Sequence, residues 1–217
     1  FKERAKEVNH LGDDMMDEGN FEEAVNLYES SVDLAEKAEN DFLLKRYSKE
    51  LEKAYKEYSQ QVNDKADELV EQAKFQEAVD LYQKSIELAQ LGNHDRKVKR
   101  FSKEKIDTYE RWAENLNDSG DTAMKNGEWS KAANLYKKSL DVAKNTEDQN
   151  TIQNYMEEYV EALANLSDEL HAIGEKQLKE GNKEKAFDTL DKALLLAKEI
   201  KDKKRIRVCM ETRNKAL

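Results

Sequence analysis

The stretch Gly19-Asn20-Phe21-Glu22-Glu23-Ala24-Val25-Asn26-Leu27-Tyr28 decides the fold, because the chain repeats it. It returns as Ala73-Lys74-Phe75-Gln76-Glu77-Ala78-Val79-Asp80-Leu81-Tyr82 and as Gly127-Glu128-Trp129-Ser130-Lys131-Ala132-Ala133-Asn134-Leu135-Tyr136. A more divergent copy runs Gly181-Asn182-Lys183-Glu184-Lys185-Ala186-Phe187-Asp188-Thr189-Leu190. Phe21, Phe75, Trp129 and Lys183 are each 54 residues apart, with no insertion in any interval. Such a fixed period marks a repeat array, in which neighbouring units bury each other's apolar faces. The repeats are therefore read as residues 1–54, 55–108, 109–162 and 163–217 of a single array, 1–217.

Within one period the apolar spacing is helical. Phe21, Ala24, Tyr28, Ser31, Val32 and Ala35 trace one helix face, since positions three and four apart stack together. That short helix, of about 18 residues, ends near Ala38. Glu39-Asn40-Asp41 then supplies a break with Asp41 as its capping residue. A long helix of about 32 residues follows, with Leu44, Tyr47, Leu51, Tyr55, Tyr58, Val62, Ala66, Leu69 and Ala73 in phase. Asn117-Asp118-Ser119-Gly120-Asp121 is the weakest helical stretch, because Asn, Asp, Ser and Gly all favour alternatives to a helix interior. The class expected is all-α: a solenoid of four hairpins with alternating long and short helices. If each long helix outruns its short partner by about 14 residues, each repeat advances roughly 20 Å, which predicts an elongated, staggered array.

Composition agrees. The 217 residues include no proline, seven glycines and 39% charged side chains, which leaves too few turn formers for a β-rich fold. The net charge of −10 argues against nucleic acid as a partner. No apolar stretch reaches the roughly 18 residues that read as a membrane span, so no membrane insertion is expected. A lone cysteine, Cys209, suits a reducing, cytoplasmic setting and reads as a small core residue. Phe1 shares a column with Tyr55, Tyr109, Leu163 and Leu217, so the chain is expected to begin and end inside helices, as a fragment of a longer array.

Leu11-Gly12, Met15, Gly19, Phe21, Ala24, Tyr28 and Ser31 sit at the spacing of a known family. In about 34 of every 54 residues the chain resembles the tetratricopeptide repeat (TPR), a helix-turn-helix unit. The small-residue column Gly12, Ala66, Gly120, Gly174 and the alanine column Ala24, Ala78, Ala132, Ala186 match its close-packing positions. Two features depart from the pattern: the closing proline is absent, and some 20 extra residues lengthen the first helix. The resemblance implies a protein-interaction scaffold or adaptor whose partners are other proteins or peptide segments. A structural spacer or rod without a ligand groove is the alternative.

The resemblance also places candidate peptide-binding residues on the first helix of each hairpin: Asn9 and Asp13, then Asn63, Asp64 and Asp67, then Asn117, Asp118 and Asp121. His171, Ala172 and Glu175 complete the columns in the fourth repeat. Chaperone-binding TPRs use Lys, Arg and Asn in this region to hold a C-terminal carboxylate; here Asn and Asp predominate, which would repel an acidic terminus and suit an extended or basic peptide. Equally, Asn and Asp can bond between neighbouring helices and serve only structure.

No catalytic or cofactor pattern is present. His10, His94 and His171 lie in no metal-ligand spacing, and no phosphate-binding glycine loop occurs. The chain is accordingly read as a non-enzyme without catalytic residues, metal or cofactor. The four repeats carry net charges of −7, −1, −5 and +3, a gradient that favours head-to-tail self-association. Lys201, Lys203, Lys204, Arg205 and Arg207 form the one basic cluster expected to bind anions, because Lys45-Arg46 and Lys99-Arg100 have Glu50 and Glu104 in pairing range.

Overall fold

The computed structural model describes residues 1–217. Nine helices follow in order: α1 (Lys2–Asp17), α2 (Phe21–Lys37), α3 (Asp41–Glu71), α4 (Phe75–Leu91), α5 (Asp95–Lys125), α6 (Trp129–Ala143), α7 (Gln149–Lys179), α8 (Lys183–Glu199) and α9 (Lys203–Asn214). The complete long helices, α3, α5 and α7, have 31 residues each; α2, α4 and α8 have 17, and α6 has 15. The chain is an all-α helical-repeat solenoid. It divides into two compact units, Phe1–Tyr109 and Glu110–Leu217.

The turns follow the 54-residue register as closely as the helices do. Gly19, Ala73, Gly127 and Gly181 hold left-handed backbone after one helix of each hairpin, and Glu39, Asn93, Glu147 and Lys201 hold it after the other. At Gly19 the amide bonds to Met16 O and that of Asn20 reaches back to Met15 O. This pair of bonds is the Schellman pattern, which satisfies the last carbonyls of a helix. Glycine takes that backbone without cost; Ala73, at φ 56°, carries a Cβ against it.

The long helices begin at a cap one residue earlier than the sequence reading placed it. Asn40 accepts from the Leu43 amide at 3.1 Å, and Asp41 is already helical. Its carboxylate sits in the first turn, where the helix dipole favours negative charge. Asp148 and Asp202 fill the same register in later repeats, bonding the Asn150, Lys204 and Arg205 amides. Helix α5 runs unbroken through Asn117–Asp121. The Ser119 and Thr122 hydroxyls bond back to carbonyls one turn earlier, at 2.9 and 3.0 Å. A Cβ at Gly120 would stand 2.6 Å from the Tyr136 ring, so glycine there admits the ring instead of breaking the helix.

In the first unit, α3 serves two neighbours. Its front half buries Ala54, Tyr55 and Tyr58 with Ala24 and Val25 of α2, and the Tyr55 hydroxyl donates to Glu29. Its rear half meets α4, where the Tyr82 hydroxyl donates to Asp67. In the second unit α7 repeats this pattern: its front half packs Ala162 and Leu163 against Ala132, Ala133 and Tyr136 of α6, and Gly174 in its rear half receives Leu190 of α8. Cys209 of α9 lies buried against Ala193 and Leu194, and burial pushes its thiol above the usual range.

Candidate interaction clefts

The rear half of each long helix faces the front half of the next, and the polar columns meet across that cleft. In the first unit Asn9 of α1 donates to Glu50 Oε2 of α3 at 2.8 Å and accepts from Ser31 Oγ of α2 at 3.1 Å. Asn63 accepts from Ser85 Oγ at 3.4 Å. Both asparagines are buried, at 2% and 1% exposure; the Asn9 amide joins three helices, and the Asn63 amide joins α3 to α4. Asp13 and Asp67 accept from the hydroxyls of Tyr28 and Tyr82. Those hydroxyls are held well above the ordinary tyrosine range, first by burial and then by the aspartate beside each. Asp64 is exposed and accepts from Gln60 at 2.7 Å.

In the second unit Asn117 is buried and bonds the Glu158 carboxylate. Ser139 turns its hydroxyl to Ala113 O rather than to Asn117, so Asn117 Oδ1 and Glu158 Oε2 are buried without partners. Burial pushes the Glu158 carboxyl up, and Asp121 and Glu161 add to it against the Asn117 bond. Asp121 accepts from Tyr136 at 2.7 Å, and Asp118 is exposed. Beside them a cleft of about 290 Å³ is lined by Glu110, Glu114, Asp148, Thr151 and Tyr155 among others. Tyr155 is shifted upward by burial and by Glu114, Glu158, Asp118 and Asp121, which all act on its hydroxyl. In the fourth repeat His171 replaces the asparagine and bonds Thr212 Oγ1 at 3.0 Å.

The eight candidate residues thus sort by depth. Asn9, Asn63 and Asn117 lie inside the joints, Asp13 and Asp121 hold tyrosines from half-buried positions, Asp67 does so from an exposed one, and Asp64 and Asp118 are exposed. Sequence reasoning passed over Glu158 and gave Glu50 and Glu104 only a pairing role along their own helices; each lies 41 positions after an asparagine of the column. The basic cluster near the C-terminus is partly spent: Arg205 takes Asp168 with two nitrogens, at 2.9 and 2.8 Å, and Asp202 with a third. No group of three or more His, Cys, Asp or Glu side chains is arranged to hold a metal ion, and no helix is long and apolar enough to cross a membrane.

Residues 116–149, which span the end of α5, all of α6 and the turn after it, match the family described as tetratricopeptide repeat. The chain is a TPR-like helical repeat protein. Among solved structures it is similar to the TPR2AB domain of yeast Sti1 in its pHSP90 complex, at 15% identity over 100% of this chain and 99% of that one, with a TM-score of 0.23. It is also similar to the de novo designed helical repeat protein DHR64, at 15% identity over 99% and 92%, with a TM-score of 0.24. A circular tandem repeat protein matches at 21% identity and a TM-score of 0.20; 99% of this chain aligns, spanning 51% of that one. No curated protein matches the chain. TPR-like repeats generally serve as protein-interaction scaffolds, and here the hairpins that begin with α3, α5 and α7 are extended by the front half of a long helix.

Proposed function

We propose that the chain is an interaction scaffold whose second unit receives a basic side chain from an extended segment of another protein. The observation that carries this reading is the unbalanced charge of the cleft between α5 and α7. Glu110 and Glu114 line the cleft beside Tyr155, and Glu114, Asp118, Asp121 and Glu158 all act on its hydroxyl. A lysine or arginine entering there would relieve carboxylate repulsion, and guanidinium matches paired carboxylate acceptors in geometry. Asp64, Asp67 and Asp118 are the exposed members of the candidate set. The asparagine amides contribute by holding the cleft walls, not by gripping a ligand.

The test is fluorescence anisotropy with labelled peptides of equal length that differ only in charge. Arginine-containing peptides should bind, glutamate-containing ones should not, and Glu114→Gln with Asp118→Asn should weaken binding about tenfold, as expected when charge-assisted bonds are lost. Equal affinity of the variant and the parent protein would remove this cleft as the site.

The burial of Asn9 and Asn63 also supports a second reading, that of a spacer. In that reading the polar ladder serves only to fix each joint, and no peptide of either charge binds.

A further inference from the structure

The cleft between α3 and α5, in the first unit, is unbalanced in the opposite sense. Gln60 Oε1 accepts at once from Lys97 Nζ, at 2.5 Å, and Arg100 Nη2, at 2.6 Å. Both cations lie over the ring of Phe101, with Lys97 Nζ 5.2 Å and Arg100 Cζ 4.7 Å from its centroid, and that ring is fully buried. The carboxylates within reach are committed or distant. Asp64 takes the Gln60 amide, and Glu104 offers one oxygen to Arg100 at 3.5 Å while the other is buried without a partner. Glu57 faces Lys97 but forms its ion pair with Lys56 at 3.6 Å. Burial, Arg100 and Lys56 push the Lys97 ammonium toward losing its proton, and they outweigh Glu57 and Asp64, which act the other way.

The repeat register shows what this arrangement lacks. Adding 108 residues, two periods, carries Gln60 to Asp168 and Lys97 to Arg205. In the fourth repeat that pair is a two-bond salt bridge between α7 and α9. The same place in the second repeat holds two cations and a neutral amide, whose oxygen carries only a partial charge.

We infer that Lys97 and Arg100 form a binding site for an external oxyanion, a carboxylate or phosphate group, which takes the place filled internally by Asp168 in the fourth repeat. The two cations bridge the anion, and Gln60 swings aside to keep its bond to Asp64. The site lies on the front half of α5, outside the 34-residue hairpin, and is independent of the acidic cleft of the second unit.

The test titrates the intact chain with inorganic phosphate at constant ionic strength, following NMR signals of the Gln60 side-chain amide, the Arg100 Nε–H and the Lys97 ε-methylene. A capped tetraglutamate peptide replaces phosphate in a second arm. Saturable shifts confined to these groups are expected; response to the peptide names a carboxylate source, and response to phosphate alone names a phosphate one. Lys97→Gln should weaken binding about tenfold, as loss of a charge-assisted bond implies. Lys99→Gln should leave it unchanged. Gln60→Glu supplies the missing carboxylate, so it should abolish binding and raise the melting temperature. No shift in either arm would overturn the inference, as would unaltered binding by Gln60→Glu or shifts spread evenly over surface lysines.

Discussion

Replacing the same asparagine in different repeats should give different costs. Asn9 makes two side-chain bonds in a site that is 2% exposed, one of them to the charged Glu50. Asn9→Ala removes the donor from Glu50 Oε2, while Arg46 still holds Oε1 at 3.0 Å and Ser31 keeps Tyr28 O at 2.8 Å. A bond to a charged, partly buried acceptor contributes about 1.5–3 kcal/mol, and the lost packing raises the total to about 2–4 kcal/mol. Asn117 also bonds a carboxylate, but its Oδ1 has no partner. Deleting it removes an unsatisfied acceptor along with the useful bond, which limits the loss to about 0–1.5 kcal/mol. Asp64→Ala, at an exposed position, should stay within about 0.5 kcal/mol. Urea unfolding followed by circular dichroism measures all three, with amide exchange in α1 and α3 locating the Asn9 effect, because repeat arrays can unfold in parts. If Asn9→Ala cost no more than Asp64→Ala, the asparagine would not be holding the joint.

Three further outcomes follow from local geometry. Ala73→Gly should stabilise the chain by about 1 kcal/mol, because glycine relieves the φ of 56° after α3, and Gly127→Ala should cost a similar amount; thermal melts check both. Tyr28, Tyr82 and Tyr136 are raised above the usual tyrosine range, and Tyr159, bonded to Glu199, is pushed up to about 12. Groups raised in the folded state contribute stability below their unfolded value near pH 10 and lose it as pH climbs further. Urea midpoints should therefore fall steeply above pH 10, and less steeply in Tyr136→Phe. Glu158 is likewise raised, so its charged form opposes folding near neutrality. Glu158→Gln should raise the melting temperature at pH 7, with the gain shrinking as pH falls below the usual carboxylate range.

The helices and their register were legible because a 54-residue period multiplies every weak local signal by four. Leu51, Tyr55, Tyr58 and Val62 announce their phase alone, and the matching columns exclude a slip. The αL turns at Glu39 and Lys201 carried no such signal, since neither side chain favours that backbone; only their position after a helix shows it. The asparagine column was visible but its depth was not. Burial of Asn9 depends on Glu50, 41 residues away on a different helix, and no periodicity within one helix reports such a partner. The constant Asn-to-Glu spacing across three repeats was the available clue. The Lys97–Arg100 pairing was hidden for a related reason: Glu104 satisfies the pairing rule along the helix, yet the shorter Arg100 bond goes to Gln60 of α3.

The central functional claim concerns the cleft around Tyr155, and chemical-shift mapping with an arginine-containing peptide tests it most directly. Shifts clustered in residues 110–121 and 148–161, reversed by high salt, are the result expected of a carboxylate-lined site. Shifts centred elsewhere, or none at a peptide concentration that saturates anisotropy, would contradict it.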